Sequence, residues 1–179
     1  MYETALNYIG FGLLMAAFFL FLYVAVVSWL FAPWVPARKR DMERIFKLAE
    51  LEKGQIFYDL GCGTGRLVGE AAKRGARAIG LEFNPALFFL CQLRKIFSKN
   101  RHQMNFKLVN LYRENLSAAD VIYFFGMPST MVRIKEKLEK ELKNEARVVS
   151  YSFTIPGWKI IETSKPSKRD LPIHLYSIR

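Results

Sequence analysis

Tyr58-Asp59-Leu60-Gly61-Cys62-Gly63-Thr64-Gly65-Arg66 decides how this chain folds. An acidic residue ends a short apolar strand, glycines follow at alternate positions, and a helix begins. About twenty residues on, Ile79-Gly80-Leu81-Glu82-Phe83 supplies a second apolar strand that also ends in a carboxylate. Together the two stretches describe a pocket for a nucleoside cofactor at the carboxyl ends of parallel strands.

Gly61, Gly63 and Gly65 carry no Cβ, so the backbone can turn sharply and approach a ligand closely. A dinucleotide site also uses G-x-G, but there the glycines let a pyrophosphate sit against a helix N-terminus. A carboxylate at Asp59 would repel phosphate and suits a cationic amino-acid ligand. The third glycine of the dinucleotide fingerprint would fall on Arg66. S-adenosylmethionine is therefore favoured over NAD.

On these residues the chain resembles the class I S-adenosylmethionine-dependent methyltransferases, whose first motif reads much like Tyr58 to Gly65. The resemblance implies that Asp59 and the loop Gly61, Cys62, Gly63, Thr64 and Gly65 hold the methionine end of the cofactor. Glu82 would accept hydrogen bonds from the ribose hydroxyls, and Asn110 would lie near the adenine.

The chain has 179 residues, room for one domain and a short appendage. Tyr8 to Phe31 carries no charged residue, and at ~1.5 Å per residue that length spans a ~30 Å hydrocarbon core. Tyr8, Tyr23 and Trp29 suit interfacial anchors, with Trp34 just beyond. A cleaved signal peptide would want positive charge before the run and small residues after it, but Glu3 precedes it and Pro33-Trp34-Val35-Pro36 follows. The expectation is a tail and single transmembrane anchor over 1–36 and a cofactor-binding domain over 37–179. Arg38-Lys39-Arg40 then put the domain on the cytoplasmic side and the N-terminus outside.

The net charge is +11, and residues 1–36 contribute only Glu3, so the basic excess belongs to the domain. Lipid headgroups are the expected partner, and nucleic acid is disfavoured. Cys62 and Cys91 give neither a metal spacing nor a disulfide framework and read as reduced thiols. No metal site is expected.

Along the domain, Asp41 to Leu51 has helical spacing, with Lys53-Gly54 as its stop. Gln55–Leu60, Ala76–Phe83, Asn105–Asn110, Asp120–Phe125 and Ala146–Thr154 read as strands. Arg66 to Arg74, a segment opened by Asn84-Pro85 and ending near Lys99, and Ser129 to Asn144 read as helices. In the last of these, Glu136/Lys140 and Glu139/Lys143 have ion-pair spacing on a solvated face. The link Leu111 to Ala119 is too short for a full crossover helix. Trp158–Glu162 and Ile173–Ile178 suit an antiparallel pair at the sheet edge. The fold class is α/β, a doubly wound and mostly parallel sheet, and the resemblance implies seven strands.

Methyl transfer from a sulfonium asks the protein to align a nucleophile and exclude water. A lysine nucleophile must lose a proton from a group of ordinary pKa about 10.4, which a dry pocket beside a cation would lower. No general base stands out. Phe124-Phe125-Gly126-Met127-Pro128 should form the acceptor side, with Phe125, Met127 and Pro128 as the acceptor-channel candidates. This stretch lacks the Asn/Asp-Pro-Pro-aromatic motif of many nucleic-acid and glutamine N-methyltransferases and is apolar, suited to an alkylammonium stem. One of Phe124 and Phe125 is expected to be strand core.

Val35-Pro36, Gly80 to Pro85, Phe125-Gly126-Met127-Pro128, Leu138 to Leu142 and Ala146-Arg147-Val148-Val149 carry a closer resemblance. They are similar to the small membrane-anchored protein-lysine methyltransferases of the mitochondrial ATP synthase c-subunit and adenine nucleotide translocase type, and to their prokaryotic relatives. Where those proteins carry Asp, this chain has Thr64 and Asn110. The resemblance implies a lysine N-methyltransferase acting on a membrane protein. The alternatives are a phospholipid or isoprenoid methyltransferase, and a non-catalytic cofactor-binding module.

Overall fold

The computed structural model describes residues 2–30 and 38–178, with side chains given at 7–23 and 38–178. Its backbone forms two compact units, 1–35 and 36–179. In the first unit a single helix, α1, runs Tyr2–Leu30.

The second unit is built on five short parallel strands. They are β1 (Ile56–Leu60), β2 (Arg77–Glu82), β3 (Met104–Leu108), β4 (Val121–Phe124) and β5 (Arg147–Tyr151). Two antiparallel strands, β6 (Glu162–Ser164) and β7 (Ile173–Ser177), extend the far edge. The sheet order is β3-β2-β1-β4-β5-β7-β6. Connections run outward one way through β2 and β3 and the other way from β4, so the order reverses between β1 and β4. Ligands bind in such sheets outside the carboxyl ends of the strands at that reversal. Register puts Asp59 beside Gly80 on one side and Tyr123 on the other.

The helices begin where local chemistry allows. Gly65, at φ +69°, turns the chain into α3 (Arg66–Lys73). Asn84 Oδ1 accepts from Ala86 N (2.9 Å) and Leu87 N (3.4 Å) to cap α4 (Pro85–Ile96), and Pro85 takes the tolerated first turn. Pro128 likewise opens α5 (Pro128–Glu141). The helix before β1, α2 (Lys39–Ala49), stops at Glu50, which takes the left-handed conformation at φ +46°. The stop expected at Lys53-Gly54 therefore comes earlier in the chain.

Both sheet faces are covered. On one, Ile45 and Phe46 of α2 and Val68 and Ala71 of α3 pack over Phe57, Val121, Tyr123 and Val149. On the other, Met131, Ile134 and Leu138 of α5 pack over Tyr58, Leu60, Ile122 and Phe124. Each fully buried large side chain contributes about 1.5–3 kcal/mol, so this sandwich fixes where the strand tips lie.

Several expectations shift. The link after β3 forms only a short 3-10 turn, Leu111–Arg113, and β6 begins where the expected Trp158–Glu162 strand ends. On α5 the pairs formed are Lys135–Glu139 and Lys137–Glu141, while Lys143 reaches Asp120 on the loop before β4. Buried Lys137 also donates to Glu114 O at 2.6 Å, tying its side of α5 to the 111–117 link, while Glu136, Glu139, Lys140 and Lys143 are exposed as expected.

The expected single-pass placement, with a cytoplasmic domain and the N-terminus outside, is corrected. Among the described residues no helix is long and apolar enough to cross a membrane. The bilayer as a partner loses its support with that span. Pro33-Trp34-Val35-Pro36 lies outside the described residues.

Candidate functional site

The glycine loop leaves β1 as the sequence requires. Gly61, Gly63 and Gly65 stand at φ +84°, +57° and +69°, a region that L side chains enter at a cost. The N–H groups of Gly61 and Cys62 both donate to Leu81 O at 2.9 Å, which pins the start of the loop to β2. Close approach matters as much as dihedrals: a Cβ on Gly65 would lie 2.6 Å from the Phe106 ring, and one on Gly80 2.6 Å from Cys62 Sγ.

Two buried carboxylates face this loop from neighbouring strand tips. Glu82 Oε2 accepts from Gly63 N at 2.8 Å, and Oε1 accepts from Phe83 N (2.9 Å) and Asn84 N (2.8 Å). An ionised carboxyl offers about four lone-pair sites, so three are used within the protein. Burial raises the pKa of Glu82, and these three backbone donors oppose the rise. Asp59 has no such support. Burial first, and the Glu82 carboxylate second, push it up to about 8. Two buried carboxylates that repel each other, one held far above its ordinary pKa, fit a cationic ligand. Sulfonium and α-ammonium groups supply that charge, whereas a pyrophosphate would worsen the repulsion.

The other cofactor candidates divide. Cys62 is buried in the loop with its Sγ 3.9 Å from Cys91 Sγ, and Cys91 Sγ also donates to Gly63 O at 3.0 Å. The thiol contact and burial hold the Cys62 pKa well above its ordinary value. Thr64 is half-buried, and its carbonyl accepts from Arg94 Nε at 2.7 Å, so α4 clamps the loop from outside. Asn110 lies exposed, two residues past the end of β3, where its Oδ1 accepts from Tyr112 N at 3.0 Å. Among the described residues no group of three or more His, Cys, Asp or Glu side chains is placed to hold a metal ion.

On the acceptor side, Phe124 is buried against α5 and is strand core. Phe125 turns to the opposite face, half-buried, with its ring edge-on to Tyr151 at 5.1 Å. Met127 is 51% exposed beside Pro128 at the start of α5, and its carbonyl accepts from Thr130 N and Oγ1. These three candidates are neighbours in sequence, but Phe125 alone joins the sheet face that carries Asp59.

That face also gathers residues the sequence did not single out. Tyr123 lies beside Asp59 in register, buried, and its phenol is raised well above its ordinary pKa by burial, then by Asp59, Tyr151 and Asp41. Tyr151 OH donates to Asp41 Oδ2 at 3.0 Å. Asp41 Oδ1 accepts from Arg44 at 2.8 Å, and Arg44 in turn donates to the carbonyls of Ser164 and Leu171. A signal for Asp41 existed: it shares a helix face with Ile45 and Leu48, where an acid without a partner would be costly.

A family profile for the ANTKMT methyltransferase domain matches residues 59–162. The lysine N-methyltransferase of the ATP synthase c-subunit from Homo sapiens is 33% identical over 126 residues, 70% of this chain and 54% of that protein. A protein-lysine N-methyltransferase of Saccharolobus islandicus is 33% identical over 155 residues, 82% of this chain and 93% of that one. The chain thus spans about half the length of its vertebrate relatives. Among solved structures, an RNA methyltransferase of Salinibacter ruber in complex with S-adenosyl-L-homocysteine superposes with a TM-score of 0.77 at 27% identity. That match covers 80% of this chain and 94% of the other.

Proposed function

We propose that this chain, which belongs to the ANTKMT methyltransferase family, uses S-adenosylmethionine to methylate the side-chain amine of a protein lysine. The observation that carries the reading is the pair of buried carboxylates, Asp59 and Glu82, around a loop of three left-handed glycines. Asp59 and the loop from Gly61 to Gly65, with Cys62 and Thr64, are assigned to the methionine end. Glu82 is assigned to the ribose through its remaining lone pair, and the Asn110 amide to the adenine. When bound, S-adenosylmethionine would supply an electrophilic methyl group: a lysine amine that has already lost its proton to solvent would form the C–N bond as the S–C bond breaks and S-adenosylhomocysteine leaves.

The domain, 37–179, then has two tasks. Its buried carboxylates hold positive charge at the β1 and β2 tips, and the apolar stretch at Phe125, Met127 and Pro128 excludes water from the acceptor. The low polarity there favours a neutral amine over an ammonium, so no dedicated general base is required. The names of the human and Saccharolobus relatives support lysine as the acceptor. An acceptor carried on a membrane protein is the finer form of the same proposal.

The test incubates the full chain with methyl-tritiated S-adenosylmethionine and an extract of its host, then separates protein, lipid and RNA. Label on protein lysine, abolished by Glu82→Ala and Asp59→Ala, is expected. Label confined to lipid or RNA would overturn the lysine reading, and binding without transfer would leave a cofactor-binding module.

A further inference from the structure

The strongest unassigned arrangement lies at the carboxyl ends of β4 and β5, on the face that carries Asp59. Tyr151 ends β5 there, 8% exposed, with the edge of the Phe125 ring against it. Its hydroxyl proton is committed to Asp41 Oδ2. A phenol that donates to a carboxylate becomes a better acceptor at its remaining lone pairs. Burial first, and the Asp41 bond second, push Tyr151 up to about 12, so it stays a neutral phenol at physiological pH. It can therefore receive an N–H without competing for a proton.

The backbone beyond Tyr151 is built to hold this position. Ser152 stands at φ +72°, and Phe153 N donates to Tyr151 O at 2.9 Å, closing a three-residue turn of the strained hand. Non-glycine residues adopt this conformation only at a cost, and such strain gathers where function over-determines the chain. Here Ser152 N is held by Pro172 O at 2.8 Å and Ser150 Oγ donates to Phe153 O. The turn carries the chain sharply away from the sheet, leaving Tyr151 as the last residue of its strand. Tyr123 bridges the row electrostatically, sensing Asp59 on one side and Tyr151 and Asp41 on the other.

We propose that the touching rings of Phe125 and Tyr151 form one wall of a slot for the acceptor lysine, with the alkyl stem lying along the Phe125 ring and the Tyr151 oxygen accepting an N–H of the substrate amine. Asp41 is the positioning residue: it fixes the Tyr151 hydroxyl, and Arg44 fixes Asp41. This inference rests on the lysine-methyltransferase reading and adds to it the groups that orient the nucleophile.

The experiment compares wild type with Tyr151→Phe, Asp41→Asn and Asp41→Ala. Each full chain is titrated with host protein extract at saturating tritiated S-adenosylmethionine. S-adenosylhomocysteine affinity is measured by calorimetry, and the methylation state of the product lysine by mass spectrometry. Tyr151→Phe keeps the ring against Phe125 and removes only the oxygen. It is expected to slow transfer at least tenfold and to alter the ratio of mono-, di- and trimethyl product, with S-adenosylhomocysteine affinity within twofold of wild type. Asp41→Asn, which still offers an oxygen to the Tyr151 proton, should retain activity within threefold. Wild-type rate and product ratio in Tyr151→Phe overturn the slot while leaving the lysine reading intact, as does an equal loss of S-adenosylhomocysteine binding. Asp41→Ala, which leaves the Tyr151 proton without its acceptor, is expected to approach the loss seen in Tyr151→Phe, with Asp41→Asn recovering most of it; a wild-type rate in Asp41→Ala overturns the positioning role of Asp41. Absence of protein label from wild type overturns the parent reading and the slot with it.

Discussion

At the β1 and β2 tips, Gly63 and Glu82 meet across 19 positions of sequence, whereas at the β4 and β5 tips Asp41 and Tyr151 meet across 110. The first end is a local construction: a strand, a left-handed turn and a helix, completed by the tip of the next strand. The second exists only once α2, β5 and the β6–β7 edge have packed together. Their electrostatics differ too. Around Glu82 three backbone donors converge on one carboxylate, while Asp59 is left crowded and far above its ordinary pKa. Asp41 instead sits between a guanidinium and a phenol. The lesson is that the β1 and β2 tips keep one carboxylate crowded and unpaired with a cation, whereas the carboxylate beside the β5 tip is already paired within the protein.

The deepest break in that contrast is Glu82→Ala. It removes the anchor of Gly63 and leaves three backbone N–H groups without their acceptor. S-adenosylhomocysteine affinity should fall about 1000-fold, roughly 4 kcal/mol, in calorimetry. A loss below tenfold would mean that Glu82 is merely a loop brace.

Gly65→Ala asks whether the loop depends on close approach. It adds a Cβ 2.6 Å from the Phe106 ring in a left-handed conformation, and should cost about 2–4 kcal/mol in urea unfolding. Unchanged stability would show that the ring yields freely.

A pH series sharpens the contrast directly. The folded pKa of Asp59 is raised to about 8, so the apo domain is favoured at low pH by this group. Stability should fall as pH rises from about 4, where the unfolded carboxyl ionises, through about 8. Affinity for S-adenosylmethionine should run the other way, rising about tenfold between pH 7 and 9 as the paired anion forms. Asp59→Asn should flatten both profiles; a slope that survives in it would assign the titration elsewhere. The smallest effect is expected at Met127→Ala, whose side chain stands mostly in solvent: acceptor KM should move by no more than about twofold in the tritium assay.

The same contrast explains what was legible in the sequence. Asp59, the three glycines and Glu82 are readable because strand, turn and ligand chemistry coincide in one short run. The parallel strands and the antiparallel edge followed from apolar segments set between helical ones. Tyr151 and Asp41 were not readable as a pair, since each alone resembles an ordinary strand aromatic and an ordinary first-turn acid. Asn110 lay where a third strand was expected to end, but β3 stops at Leu108 and the residue caps a 3-10 turn instead. The apolar segment before Pro33 suggested a bilayer span, whereas among the described residues no helix is long and apolar enough to cross a membrane.

Arg44 gives this assembly an order in time. Its partners Ser164 and Leu171 lie 120 and 127 positions further along the chain. During synthesis, the glycine loop and Glu82 have everything they need long before the β6–β7 edge leaves the ribosome. The Glu82–Gly63 contact can thus be made early, while the Asp41–Tyr151 pair waits for its last-made braces. The two ends of the strand row are then completed at separate moments in the life of one molecule.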